Sequence, residues 1–259
     1  VPSMRSVTFS GASLPTLSTD GSKVAYLSEN KLYTLDLSES ALGLLNRESK
    51  LITPLEKSIY KLEWTADNKQ ILAYATPSAY LVDLTKQEVQ PILDIKSLSK
   101  DIKVDRNMEL LPIPMREILA TSAANLVWSP KENKLLYTAT ASANIAENLI
   151  PQLPGSNTQQ QVRKLKVGKK YVYDLEEDRN FELSDGTYIW FSDSNHLVRV
   201  ENKKIVIVEY DNQNPTTVYT GPMENGFVAP YPSSKQMLIL TNLTGNTATQ
   251  PNLYAVSLR

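Results

Sequence analysis

Leu17-Ser-Thr-Asp-Gly-Ser-Lys-Val24 is the stretch on which the fold turns, because four further copies of it follow. They are Trp64-Thr-Ala-Asp-Asn-Lys-Gln-Ile71, Trp128-Ser-Pro-Lys-Glu-Asn-Lys-Leu135, Trp190-Phe-Ser-Asp-Ser-Asn-His-Leu197 and, more weakly, Pro230-Tyr-Pro-Ser-Ser-Lys-Gln-Met237. Each is an anchor, a polar turn and an apolar residue seven positions after the anchor. The anchors stand 47, 64, 62 and 40 residues apart. The intervals of 64 and 62 residues exceed the other two, so they carry insertions.

The same continuation follows each copy. After Val24 comes Ala25-Tyr-Leu27, then the turn Ser28-Glu-Asn-Lys31, then a second apolar run, Leu32-Tyr-Thr-Leu-Asp-Leu37. The order returns as Ile71–Tyr74 with Tyr80–Leu84, Leu135–Thr138 with Tyr171–Leu175, Leu197–Val200 with Ile205–Tyr210, and Met237–Leu240 with Leu253–Leu258. Short β-branched, aromatic and aliphatic runs between polar turns read as strands of an antiparallel meander. A strand also precedes the anchors, as in Ile59–Glu63 and Ala124–Val127. A weaker one closes most units, at Lys50–Thr53, Val89–Leu93, Phe181–Leu183 and Thr217–Tyr219.

Four strands per unit is the signature of a propeller blade. The prediction is an all-β, five-bladed β-propeller of four-stranded antiparallel blades forming one domain over 1–259. Its blades fall at about 13–53, 58–94, 123–183, 187–220 and 226–259. The fifth unit runs out of chain at Arg259 before a fourth strand, and an orphan run, Arg5-Ser-Val-Thr-Phe9, precedes the first. Unpaired sheet edges invite aggregation, so residues 5–9 are predicted to complete the last blade as its outer strand.

Insertions 95–122 and 141–169 break the rhythm. In the first, Leu111-Pro-Ile-Pro-Met115 argues against a continuous helix and allows one short turn from Pro114. The second is polar, with Pro151, Pro154, Gly155 and Gln159-Gln-Gln161, and reads as a long loop between the second and third strands of the third blade. Loops of that length are usually functional or mobile.

Composition narrows the function classes. A net charge of −1 gives no electrostatic reason to expect nucleic acid or an anionic membrane. The absence of cysteine removes disulfides, thiol catalysis and cysteine-ligated metals. No stretch reaches the ~18 consecutive apolar residues of a membrane span. The chain starts at Val1 without a basic and apolar leader, so a targeting or anchoring segment is expected to lie outside it. With 18 asparagines against 9 glycines, asparagine and aspartate are expected to make the tight turns.

Thr19-Asp-Gly-Ser-Lys-Val-Ala-Tyr26, followed by Leu32-Tyr-Thr-Leu-Asp-Leu37, resembles the bacterial WD40-like propeller repeats of the TolB type. The likeness is good in three units, partial in the fourth and poor in the fifth. Tyr210-Asp-Asn-Gln-Asn214, Val218-Tyr-Thr-Gly221 and Pro251-Asn-Leu-Tyr254 look like the propeller region that follows a PEGA domain in bacterial surface proteins. The resemblance implies an extracytoplasmic, membrane-anchored scaffold and carries over no catalytic residue.

Residues with reactive potential have plainer readings beside them. His196, the only histidine, sits in a polar turn with no identifiable nucleophile and orienting acid, so a solvated turn residue is expected. Trp64, Trp128 and Trp190 share one repeat position, which favours one packing role over three ligand platforms. Asp36, Asp83, Asp174 and Glu209 recur near the end of the third strand and read as turn caps. Glycoside hydrolysis needs two carboxylates about 5–10 Å apart. The predicted inner strands offer only Glu63, with Asp185 in a turn. Walker, dinucleotide and calcium-loop patterns are missing. Asn242-Leu-Thr244 is a formal glycosylation sequon, a pattern common by chance.

The expectation is therefore a non-enzymatic scaffold of a bacterial surface protein that binds a protein or cell-envelope polymer. The alternative is a glycan-binding or glycan-hydrolysing propeller. No catalytic residue, metal ligand or cofactor is predicted, nor any nucleic-acid partner or membrane insertion of this domain. Binding is expected on the strands before the anchors, at Tyr60, Glu63, Asn125 and Tyr188, and at the basic end of the 141–169 loop, at Arg163 and Lys164.

Overall fold

A computed structural model describes residues 3–38, 48–92, 106–151, 157–201, 203–244 and 249–258. The first blade is β2 (Ser13–Leu17), β3 (Lys23–Ser28), β4 (Lys31–Asp36) and β5 (Ser49–Pro54). The second is β6 (Ile59–Trp64), β7 (Gln70–Ala75), β8 (Ala79–Asp83) and β9 (Val89–Ile92). The third is β10 (Ala123–Trp128), β11 (Lys134–Ala139), β12 (Lys170–Asp174) and β13 (Arg179–Glu182). The fourth is β14 (Thr187–Trp190), β15 (His196–Glu201), β16 (Lys204–Glu209) and β17 (Thr216–Thr220). β18 (Val228–Pro230), β19 (Gln236–Thr241) and β20 (Asn252–Ser257) form the fifth with β1 (Met4–Ser6), in the order β1-β20-β19-β18. Five four-stranded antiparallel sheets, each a meander in the first four cases, make this a five-bladed β-propeller.

The closing strand is where the orphan run predicted it. Met4, Arg5 and Ser6 pair with Val256, Ala255 and Tyr254. The N–H groups of Val7 and Ala12 continue the seam onto the carbonyls of Leu253 and Pro251 at 2.8 and 2.7 Å. Thr8 then caps it: its buried Oγ1 donates to Asn252 Oδ1 at 3.0 Å and accepts from the Leu253 N–H at 2.9 Å. The edge of the last sheet is thus satisfied by chain from the other end of the sequence.

The chain divides into two compact units, Val1–Val104 with Tyr219–Arg259, and Asp105–Val218. In the first, β3 explains why its sequence is apolar without alternation. Side chains of a strand alternate between faces. Ala25 and Leu27 join a core with Trp64, Ile71, Ala73 and Val82 of the second blade, while Val24 and Tyr26 join another with Ala229, Leu238, Leu240 and Leu253 of the fifth. Both faces are buried, and each fully buried aliphatic side chain contributes roughly 1.5–3 kcal/mol. In the second unit, Leu136 and Val172 pack on Tyr188, Trp190, Leu197 and Val208.

The turns use the predicted residue types. Of the non-glycine residues held at positive φ, seven are asparagines, among them Asn30, Asn68 and Asn212. Ser18, Thr65 and Ser129 occupy one repeat position, and each hydroxyl accepts from the N–H five residues on, at 2.9, 3.1 and 3.1 Å.

One element departs from expectation. Ile113–Ser122 is a ten-residue α-helix, α1, instead of a single short turn, and a 3₁₀ turn, Arg106–Leu110, precedes it. Pro112 is its N-cap and Pro114 lies in its first turn. Both stand where the backbone N–H has no helical partner, so they start the helix instead of breaking it. Among the described residues, no helix is long and apolar enough to cross a membrane.

Candidate functional site

The insertions of the third blade come together. β11 and β12 turn Leu136 and Val172 toward the fourth blade, and Leu135, Tyr137, Tyr171 and Tyr173 to the other face. That second face is covered by Leu111, Met115 and Leu119 of the first insertion and by Ile145 and Leu165 of the second, all buried. The second insertion is therefore no free loop over its described residues, 141–151 and 157–169. Its two limbs pair through the bridge of Asn144 with Lys164, with the Ile145 N–H on the Arg163 carbonyl at 2.9 Å and the Leu165 N–H on the Ala143 carbonyl at 2.8 Å.

Polar groups lock it to the blade. Asp178 Oδ1 accepts from Tyr173 Oη at 2.9 Å and pairs with Arg163 Nη1 at 3.1 Å, while its Oδ2 takes the Leu149 N–H at 2.7 Å. Arg163 also donates to the Ala146 and Asp178 carbonyls. Burial, together with the Asp178 carboxylate, pushes the Tyr173 phenol well above its ordinary range. Asn180, fully buried, accepts from Tyr137 Oη and donates to the Val162 carbonyl, both at 2.7 Å. Farther along, Asn157 reaches the fourth blade, donating to Asp211 Oδ2 at 2.9 Å.

Between α1 and the second insertion runs an open groove of about 380 Å³, with Glu117, Ile118 and Thr121 on one wall and Ala143 and Asn144 on the other. Leu110 and Ile113, at the start of this platform, and Val167, at the turn of the second insertion, are exposed large apolar residues. Sequence reading missed α1 and this groove. The available signal was the proline pair, whose place at a helix start is as natural as its place in a loop.

The predicted binding residues fall in different settings. Tyr60 and Glu63 lie on β6 of the first unit beside Tyr74 and Lys61. Tyr74 Oη donates to Glu63 Oε2 at 2.5 Å, Lys61 Nζ lies 3.3 Å from Glu63 Oε1 and 5.0 Å from the Tyr74 ring centre, and exposed Tyr60 tilts against that ring at 6.2 Å. Burial first, then the Glu63 carboxylate, raise the Tyr74 phenol strongly. The other four belong to the second unit. Asn125, exposed and at φ 55°, sits in the irregular step of β10, the same repeat position as Leu14 in β2 at φ 50°. Tyr188 is buried and donates to the Ser184 carbonyl at 2.8 Å. Arg163 faces inward onto Asp178, whereas Lys164 is exposed on the platform.

The recurring residues serve the blades. Trp64 and Trp190 each donate an indole N–H to a carbonyl of the preceding blade, Thr16 at 3.0 Å and Val127 at 2.9 Å. Asp36, Asp83 and Asp174 each accept from backbone N–H groups two or three residues on, and Glu209 accepts from Asn214 Nδ2. Asp174 also forms a buried pair with Lys134 at 3.5 Å, and Lys134 lies over the Tyr210 ring at 4.6 Å. His196 departs from the expected solvated turn residue: it opens β15 opposite Glu209, its Nδ1 lies 2.6 Å from Asp193 Oδ2, and its ring stacks edgewise on Phe191. Asp185 is exposed and paired with Lys169 at 2.8 Å. Among the described residues, no three or more His, Asp or Glu side chains gather as a metal site.

No family model matches the sequence, and no curated protein matches it. Solved structures do. An oligogalacturonate lyase in complex with manganese is 14% identical at a TM-score of 0.43, over 98% of this chain and 79% of that one. The β-propeller domain of Myceliophteria thermophila Cps50 (Swd1) is 11% identical at 0.48, over 99% of both chains. TolB from Acinetobacter baumannii is 14% identical at 0.30, over 99% of this chain and 55% of that one.

Proposed function

We propose that this propeller is a non-enzymatic binding scaffold of a bacterial surface protein, acting outside the cytoplasm and tethered by a segment beyond this chain. Its partner is a protein or cell-envelope polymer. The observation that carries this reading is the platform on the third blade. The recurring tryptophans and carboxylates are engaged in packing and turns, whereas the described residues of the two insertions build a packed layer with an open groove. Exposed Leu110, Ile113 and Val167 on that layer fit a surface that another macromolecule covers. A blade with the described insertion residues packed onto it holds such contacts without a large ordering cost on binding.

The test is a photo-crosslinking residue placed at Ile113 in the full-length protein in cells, against the same residue at Lys69 in a repeat turn. A discrete adduct at Ile113 and none at Lys69 is the expected outcome. Equal labelling at both positions, or none at Ile113, defeats the reading.

A further inference from the structure

The fifth blade carries a second hollow, also of about 380 Å³, formed wholly by the first compact unit. Its walls come from the segment between β1 and β2, the end of β19, the start of β20 and the described residues of the connection between those two strands. None of its lining residues carries a charge; they are hydroxyls, amides, a glycine, a leucine and the aromatic rings of Phe9 and Tyr254.

Three observations point to an unmet ligand. Thr241 lines the hollow, is 0% exposed, and its Oγ1 has no hydrogen-bond partner among the described residues. A buried hydroxyl left unpaired is costly, and such groups are normally satisfied. Asn252 pairs directly across from Thr241, so both point to one face of the sheet. Its Oδ1 is fixed by Thr8 Oγ1 and the Gly11 N–H, each at 3.0 Å, which sets the orientation of the amide. Finally, Phe9 is 83% exposed at this hollow.

The close approach of the walls depends on Gly11. It sits at φ +83°, and a Cβ there would lie 2.6 Å from Gln250 Cβ. That contact brings the exposed Gln250 amide beside the cleft.

The chemistry selects a ligand class. A charged ligand would find no counter-charge among the lining residues, and a purely apolar one would leave the Thr241 hydroxyl unpaired. A sugar ring offers hydroxyls at its edge and an apolar C–H face, which suits amides set around an aromatic ring. With no carboxylate in the cleft, the glycosidic bond would be held and not cleaved. We infer that the cleft bounded by Phe9, Thr241, Gln250 and Asn252 binds an uncharged saccharide unit.

Ligand-observed saturation-transfer NMR tests this with cellotetraose, maltotetraose, xylotetraose and chitotetraose as neutral probes and tetragalacturonate as the anionic one. At least one neutral probe is expected to bind, and Phe9→Ala and Thr241→Val each to weaken it about tenfold. Thr241→Val removes an unpaired hydroxyl without changing shape, so its melting temperature should not fall. Silence from all four neutral probes at millimolar concentration overturns the proposal. So does equal binding of tetragalacturonate, or affinity unchanged in both variants.

Discussion

Trp190 donates its indole N–H to the carbonyl of Val127 at 2.9 Å, one residue before the anchor of the blade that precedes it. Trp64 does the same to Thr16, again one residue before an anchor, at 3.0 Å. The repeated tryptophan thus joins blade to blade by a directed bond as well as by area. Trp190→Phe keeps most of the ring but removes the indole donor to the Val127 carbonyl, which keeps its place opposite Leu136 in the β10–β11 ladder, and is expected to cost about 1 kcal/mol. Trp190→Ala adds a cavity and is expected to cost about 3–5 kcal/mol. Urea denaturation of the two variants separates these contributions.

A second link between blades runs through the turns. Thr19 presents its N–H to Asn68 Oδ1 at 2.8 Å in the first unit. In the second unit Lys131 presents its N–H to Ser194 Oγ at 2.9 Å. Pro130, which lacks an N–H, takes the place of Thr19 in that copy, and the donor moves one residue on. Asn68→Ala is expected to cost about 1 kcal/mol, read by thermal unfolding, because two bonds from Thr19 end on the one oxygen.

The closing seam depends on Thr8. Thr8→Val keeps the shape but strands the Leu253 N–H, and is expected to destabilise by about 1–3 kcal/mol. Thr8→Ser retains the hydroxyl and should lose much less. Amide exchange at Leu253 should quicken in the valine variant and stay near wild type in the serine variant.

Asp178 is the joint of the platform. Asp178→Ala leaves the largely buried Arg163 with its carbonyl partners but without its counter-charge, for an expected cost of about 3 kcal/mol. Hydrogen exchange should rise first at Ile145, Leu149 and Leu165, whose amides hold the insertion to itself and to Asp178. Uniform loss of protection across the chain would contradict a local joint.

Acid should loosen the repeat turns. The Thr65 hydroxyl and the Lys69 N–H hold Asp67 below its ordinary 3.8. Burial pushes Asp20 and Asp193 up, but hydrogen bonds from Ser18 and from the Asn195 N–H and His196 outweigh it. Carboxylates depressed in the folded state stabilise it above their unfolded value, about 3.9 for aspartate, and that contribution is lost as pH falls through the folded values. Denaturation midpoints should therefore hold between about pH 7 and 5 and drop below about pH 4, and Asp67→Asn should flatten part of the drop.

The blades were legible because their information is local. Short apolar runs between polar turns set the strands, asparagine and aspartate marked the turns, and the recurrence of the phrase set the number of units. Counting alone called for a closing strand from the orphan run; the strand itself is Met4–Ser6, a little earlier than the predicted residues 5–9. The candidate sites were far less legible. Tyr188 and Arg163 read as binding residues, and no local pattern placed Tyr188 among the buried side chains or Arg163 against Asp178. Pro112 and Pro114 read as breakers because sequence does not say on which side of a helix start a proline stands.

What the sequence by itself determined was five copies of one blade and the residue that turns each. Periodicity and turn chemistry act over a few residues, so each copy declares itself. Only the tertiary structure decided that α1 and the second insertion cover the far face of the third blade. It alone brought Gly11 within reach of Asn252, 241 residues away. Such contacts depend on which faces are left unburied after the strands pair, and no local pattern records that.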